Sequence, residues 1–96
     1  MYELKLTSAA QKYFKKIKEN GLKKAFRDAL SQIAEDPSCG SEKNGDLAGM
    51  YGYDVYYNKT NYEIAYRVYE EDGKIVVVVL AGTRENFYNE LKRYLK

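Results

Sequence analysis

The sequence predicts one α+β domain, with elements in the order β-α-α-β-β-β-α and an antiparallel sheet covered on one face by an N-terminal helical hairpin. Apolar residues recur at helical spacing twice before residue 37 and again near the C-terminus, whereas they alternate with polar residues between residues 50 and 80. The chain has 96 residues, which is enough for a single two-layer core. Because no repeat or interior linker divides it, we expect residues 1–96 to form one domain.

The first third of the chain predicts one strand and two helices. Residues 2–6 alternate large and polar side chains, which is typical of a strand with one buried face. A helix is expected from Ser8, which has capping-box spacing, to Asn20, where Gly21 would end it in the left-handed conformation. A second helix is expected from residue 22 to Asp36, because the following proline cannot continue the hydrogen-bond ladder.

The rest of the chain predicts a loop, a three-stranded meander and a final helix. Residues 38–49 are rich in Ser, Gly, Asn and Asp, which indicates a surface loop. Strands are then expected at residues 50–58, 62–69 and 74–80, with turns at residues 58–61 and at Asp72–Gly73. The last helix is expected to begin near Thr83, a favourable N-cap residue.

The alternation along these strands assigns side chains to the two faces of the sheet. The face expected against the helices carries Tyr53, Val55, Ile64, Tyr66 and Val68. The opposite face is then expected to carry Tyr56, Arg67 and Tyr69.

Composition excludes several kinds of chemistry. The chain has no histidine, so it has no imidazole base, no His-containing catalytic triad and no His-ligated metal. Its single cysteine, Cys39, allows no intramolecular disulfide and is expected to be an inert surface thiol in a reducing cytoplasm. No ligand spacing indicates a metal and no phosphate-binding loop is present, so neither a metal nor a small-molecule cofactor is expected. No apolar run is long enough for a membrane span.

The formal net charge of +2 conceals segregated charge. Residues 1–27 carry +6, residues 28–73 carry −7 and residues 74–96 carry +3. Lysines of the helical hairpin, including Lys15 and Lys16, lie mostly off the apolar stripe. A solvated helix face is the simpler interpretation, but the same charges would attract RNA phosphates.

Tyrosine is the other unusual feature, with eleven in the chain and seven of them between Tyr51 and Tyr69. Filling a small core explains most of them. An exposed tyrosine on the sheet, with Tyr56 the candidate, could instead stack on a nucleobase.

In the C-terminal run from Gly82 to Leu95, Arg84 comes two residues after Gly82, and Tyr88 follows four residues after Arg84. This run resembles the ending of the RelE/ParE superfamily of type II toxins. The preceding stretch from Lys43 to Gly49, with one leucine between them, is similar to an approach motif of that superfamily. The order of predicted elements also fits, so the resemblance covers essentially the whole chain.

The resemblance implies a cytoplasmic toxin that is neutralised by a cognate antitoxin protein. RelE-like members cut messenger RNA, commonly on the ribosome, without a metal and with 2′,3′-cyclic phosphate ends. By position, Arg84 would stabilise phosphate charge and Tyr88 would exchange a proton or stack on a base. Arg67 would be a second phosphate-binding cation, and Glu85 a base or a structural acid of the first helical turn. Lys43 and Lys59 would contact RNA.

One departure from the superfamily concerns the hairpin, where a position that is often basic is Glu63 here. Two alternatives to an RNA-cleaving toxin therefore stay open. One is a ParE-like poison of DNA gyrase, and the other is a non-catalytic RNA-binding domain.

Overall fold

The computed structural model describes residues 1–71, 73–85 and 87–95, which form three α-helices and one five-stranded mixed sheet. The helices are α1 (Ser8–Lys16), α2 (Asn20–Glu35) and α3 (Phe87–Leu95). The strands are β1 (Glu3–Leu6), β2 (Ser41–Glu42), β3 (Tyr51–Tyr57), β4 (Thr60–Tyr69) and β5 (Ile75–Thr83). The predicted α+β class, helical hairpin and three-stranded meander are confirmed.

The strands lie in the order β1-β5-β4-β3-β2. The meander β3-β4-β5 is antiparallel, as predicted, but β1 pairs with β5 in parallel. The prediction of a wholly antiparallel sheet is wrong at this edge, because the helical hairpin crosses the sheet and leaves β1 beside the last strand. The short strand β2 lies inside the predicted loop and pairs antiparallel with the start of β3.

The first helix boundary differs from the prediction. Thr7 rather than Ser8 is the N-cap, because its Oγ1 accepts a hydrogen bond from the backbone N–H of Ala10 at 3.1 Å. Helix α1 ends at Lys16, and the buried Ile17 has an extended backbone with ψ of 126°. Burial of the Ile17 side chain in the core accounts for this early end.

Contrary to the prediction, Gly21 does not end a helix but lies in the first turn of α2. A Cβ at this position would lie 3.0 Å from Cε1 of Tyr57 and closer still to its hydroxyl group. The glycine therefore allows α2 to approach β3 closely.

The two faces of the sheet bury different cores. The larger core packs α1 and α2 against the predicted helix-facing residues, Tyr53, Val55, Ile64, Tyr66 and Val68. The smaller core, on the opposite face, contains Leu47, Met50, Ala65, Val79, Phe87 and Leu91. A register shift between Ala65 and Tyr66 interrupts the pairing of β4 with β5.

Strand β5 continues to Thr83, three residues beyond the predicted end, because Thr83 pairs with Tyr62 on β4. Helix α3 accordingly begins at Phe87 rather than near Thr83. Asp72 of the predicted Asp72–Gly73 turn lies outside the described residues. Cys39 is exposed, as expected. Among the described residues, no helix combines the length and apolar character needed to cross a membrane.

Candidate active site

The centre of the candidate site is Glu63, a carboxylate that is only 1% exposed. It lies on β4 between Asp54 of β3 and Gly82 of β5. Alternation along the strand places it on the sheet face away from α1 and α2, because the adjacent Ile64 belongs to the helix-facing core. Burying a carboxylate is costly unless charged or hydrogen-bonding groups compensate it.

Tyr88 and Lys43 provide part of that compensation. The Tyr88 hydroxyl, on the first turns of α3, donates a hydrogen bond to Oε2 of Glu63. Lys43 Nζ lies 3.6 Å from the same oxygen and 5.0 Å from the centre of the Tyr88 ring. The backbone N–H of Lys43 donates to the carbonyl of Met50 at 2.9 Å, which fixes the start of this side chain beside β3.

Arg84 approaches Glu63 from the other side. Its backbone N–H donates to the carbonyl of Asn61 at 2.8 Å, so the residue is held just beyond the last pair of β4 and β5. Its guanidinium lies 3.4 Å from Oδ2 of Asp54 and 3.9 Å from Oε1 of Glu63. The side chain is 53% exposed, so these ion pairs are loose and open to water.

We refer to Lys43, Asp54, Glu63, Arg84 and Tyr88 as the Glu63 cluster. Its two cations and two carboxylates balance in formal charge. Among the described residues, Oε1 of Glu63 is the buried side-chain oxygen that receives no hydrogen bond. The cluster therefore has two cations that are partly open to solvent, and behind them a buried carboxylate with one oxygen that receives no hydrogen bond.

The environment raises two pKa values in the cluster. Burial and the hydrogen bond to Glu63 raise the pKa of Tyr88 above its ordinary value. The contact with Tyr88, and the nearby charge of Glu63, raise the pKa of Lys43. At neutral pH, Tyr88 is therefore a neutral phenol and Lys43 is a cation.

Gly52, two residues before Asp54 on β3, provides room for the cluster. A Cβ on Gly52 would lie 2.8 Å from Cε of Lys43 and even closer to Oε2 of Glu63. A side chain here would displace one or both of these groups.

The structure brings together three of the residues selected from sequence, Lys43, Arg84 and Tyr88. Lys59 and Glu85 are exposed and line a shallow pocket of about 380 Å³ with Arg84, beside the cluster rather than in it. The role of Glu63 as the centre of the cluster was missed. The available signal was an acidic residue between Tyr62 and Ile64, inside the apolar and aromatic part of the predicted strand.

The other selected residues lie elsewhere. Arg67 is on the same strand as Glu63 but four residues further along, about 13 Å away by strand rise, where its guanidinium lies near Gly49. Tyr56 is 66% exposed near the open edge of β3. Lys15 and Lys16 are exposed on α1, on the layer that covers the opposite sheet face. The described residues contain no group of three or more Cys, Asp or Glu placed to hold a metal ion.

Comparison with known proteins identifies the family. The family model described as "ParE-like toxin of type II bacterial toxin-antitoxin system" matches residues 4–92. No curated protein matches the chain by sequence.

Solved structures of RelE toxins share the fold. The toxin–antitoxin complex RelBE2 of Mycobacterium tuberculosis is similar, with 21% identity, a TM-score of 0.67, and coverage of 86% of this chain and 98% of that chain. The intact RelBE complex of E. coli has 20% identity and a TM-score of 0.68, covering 85% of this chain and 95% of that chain. A doubly arginine-substituted mutant of E. coli RelE in the free state has 19% identity and a TM-score of 0.74, covering 95% of this chain and 92% of that chain.

These matches confirm the expected membership of the RelE/ParE superfamily, and the low identities limit the structural likeness to the fold. The chain belongs to the ParE-like toxins of type II bacterial toxin–antitoxin systems.

Proposed function

We propose that this toxin is an endoribonuclease that cleaves messenger RNA and so inhibits translation. The observation that carries the proposal is the convergence of Arg84, Lys43 and Tyr88 on the buried carboxylate of Glu63. The proposed reaction is attack of a ribose 2′-hydroxyl on the adjacent phosphate, which leaves a 2′,3′-cyclic phosphate and a free 5′-hydroxyl.

The cluster contains the three groups that this reaction requires. Developing charge on the phosphate oxygens needs cations, which Arg84 and Lys43 supply. Arg84 stays protonated and can only stabilise charge, whereas Lys43 can also release a proton. The leaving 5′-oxygen needs a proton donor and the 2′-hydroxyl needs a proton acceptor. Side chains of the cluster supply both without a metal or a cofactor.

RNA is proposed to approach from the solvent side of Arg84. The shallow pocket that Arg84 lines with Lys59 and Glu85 would hold nucleotides next to the scissile phosphate. The exposed lysines of α1, Lys15 and Lys16, lie on the other layer and would act through long-range attraction. We propose no catalytic role for Arg67, because it lies four residues beyond Glu63 along β4.

The proposed partners follow from the family. A cognate antitoxin protein would neutralise the toxin, since two of the similar solved structures are toxin–antitoxin complexes. The proposed substrate is messenger RNA on the ribosome, which places the action in the cytoplasm.

Inhibition of DNA gyrase is the second candidate function. The matching family model is described as ParE-like. In addition, the carboxylates of Asp54 and Glu63 balance the charges of Arg84 and Lys43, so the cluster has no net positive charge that would attract RNA. A gyrase poison would induce the DNA-damage response and leave messenger RNA intact.

Primer extension on a reporter message tests the two candidates. The wild type, Arg84→Ala and Arg93→Ala are expressed side by side; Arg93 is an exposed arginine of α3 outside the cluster. The nuclease proposal expects new 5′ ends with the wild type and with Arg93→Ala, and a loss of at least tenfold with Arg84→Ala. Intact transcripts in growth-arrested cells would overturn it, and DNA damage in those cells would favour the second candidate.

A further inference from the structure

Glu63 is placed behind the groups that face solvent. Its side chain is 2% exposed, whereas the side chains of Lys43 and Arg84 are 26% and 53% exposed and Tyr88 is half-buried. A ribose hydroxyl approaching from solvent would therefore meet Tyr88, Lys43 or Arg84 before it reached Glu63. The hydrogen bond from the Tyr88 hydroxyl to Oε2 of Glu63 is the connection between the outer groups and the carboxylate.

We propose that Glu63 is the final proton acceptor of the cleavage reaction and that it acts through Tyr88. Tyr88 is then the catalytic residue that contacts the ribose, and Glu63 is the positioning residue that receives the Tyr88 proton. The inference rests on the proposed nuclease function and goes beyond it by assigning the route of the proton.

The proton transfers balance in the following order. The 2′-hydroxyl gives its proton to the Tyr88 oxygen while the phenolic proton moves to Oε2 of Glu63. The 2′-oxygen forms a bond to phosphorus and the bond to the 5′-oxygen breaks. The leaving 5′-oxygen takes a proton from the Lys43 ammonium, which gives the cyclic phosphate and the 5′-hydroxyl. The neutral Glu63 then returns its proton to the Lys43 amine across the 3.6 Å contact, and all three residues are restored.

The other residues of the cluster are less suited to accept the proton. Arg84 stays protonated and cannot accept one. The raised pKa of Lys43 keeps it protonated at neutral pH, and the raised pKa of Tyr88 keeps the phenol neutral. A neutral phenol removes a proton only if it loses its own at the same time. Among the described residues, Glu63 is the carboxylate hydrogen-bonded to Tyr88.

The unpartnered oxygen of Glu63 supports this role. Oε1 is buried and receives no hydrogen bond from the described residues, and Arg84 Nε is 3.9 Å away. A carboxylate that served only as a structural anchor is expected to have its buried oxygens hydrogen-bonded. Incomplete satisfaction favours proton uptake by Glu63.

The test compares wild type, Glu63→Gln, Tyr88→Phe and the double variant on a messenger RNA, using ribosomes if the free RNA is not cut. We expect each single variant to slow single-turnover cleavage about 10²- to 10⁴-fold, with substrate affinity nearly unchanged. The double variant should be no slower than the slower single variant, because both substitutions interrupt one proton route.

Two further variants keep the test decisive. Glu63→Asp retains a carboxylate and should cleave at least tenfold faster than Glu63→Gln. Glu90→Gln, which changes an exposed acid of α3 outside the cluster, should cleave like the wild type. Tyr88→Phe leaves Glu63 in place, so it tests the route even if Glu63→Gln does not fold.

The outcomes separate the two proposals. A wild type that cuts RNA while Glu63→Gln cuts equally fast or faster would overturn the proton route and leave the nuclease function standing. Additive losses in the double variant would also overturn the route. A wild type that leaves RNA intact both free and on ribosomes would overturn the nuclease function and, with it, this inference.

Discussion

Replacing Gly52 with alanine tests the packing of the Glu63 cluster. The new Cβ would lie 2.8 Å from Cε of Lys43 and within clashing distance of Oε2 of Glu63, so at least one side chain must move by several tenths of an ångström. Overpacking in a core costs about 1–3 kcal/mol of unfolding free energy, and the cost here should lie at the low end because the clashing atoms are side-chain ends. A misplacement of about 1 Å in a catalytic group costs on the order of 100-fold in rate. We therefore expect Gly52→Ala to lose both stability and cleavage activity.

Gly82→Ala is the matched control, because both glycines lie on strands that flank Glu63. Gly82 of β5 pairs with Glu63 from one side, and β3, which carries Gly52, pairs with Glu63 from the other side. A Cβ at Gly82 would lie 3.7 Å from Cδ1 of Phe87, which is an ordinary contact. Urea denaturation and single-turnover cleavage are measured for both variants. If Gly52→Ala cleaves within twofold of Gly82→Ala, the described packing around Glu63 is wrong.

Three further predictions concern the fold and its charges. Tyr66→Phe removes a hydroxyl that accepts one hydrogen bond and donates another, so it should lower the unfolding free energy measured in urea by about 1–3 kcal/mol. Tyr69→Phe, at an exposed tyrosine, should change the unfolding free energy by less than about 0.5 kcal/mol. The pKa values of Tyr66 and Tyr88 are raised above 10.0, so the folded state holds these two protons more tightly than the unfolded state does. Their contribution to the unfolding free energy is therefore complete below pH 10 and is lost as the pH rises further. Urea denaturation should accordingly show a lower unfolding free energy at pH 11 than at pH 8. Replacing Lys15 and Lys16 with alanine should reduce the salt dependence of RNA binding, lowering the log–log slope by less than the value of about 1.4 that two direct phosphate contacts would give, and an unchanged slope would exclude these lysines from the RNA approach.

Local patterns predicted the elements that are defined by nearby residues. The alternation along residues 50–80 correctly assigned Tyr53, Ile64 and Val68 to the helix-facing core. The helical hairpin was likewise predicted from apolar spacing. In both cases the burial of alternate or periodic positions is a local property of the sequence.

The errors arose where distant contacts decide the local structure. Burial of Ile17 ends α1 early, and close packing against Tyr57 explains Gly21 better than a left-handed turn does. The parallel pairing of β1 with β5 and the short strand β2 also depend on residues far away in the chain. Spacing along the sequence carries little information about such contacts.

The candidate site was predicted in part for the same reason. The ending that contains Arg84 and Tyr88 was identified from its motif, and Lys43 from its position before Gly49. In the sequence, Glu63 is recognisable only as an acid at a position that is often basic in the superfamily, because only the folded structure places Tyr88, Lys43 and Arg84 around it. Tyr88 comes from the final helix and Lys43 from a separate loop, so the groups that surround Glu63 are contributed by distant parts of the sequence.

The 3′-end chemistry of messenger RNA from cells that express the toxin tests the central claim most directly. The account predicts new 3′ ends that carry 2′,3′-cyclic phosphate with the wild type, and a strong reduction of those ends with Tyr88→Phe. Growth arrest by the wild type with no cyclic-phosphate ends in the message pool would contradict it.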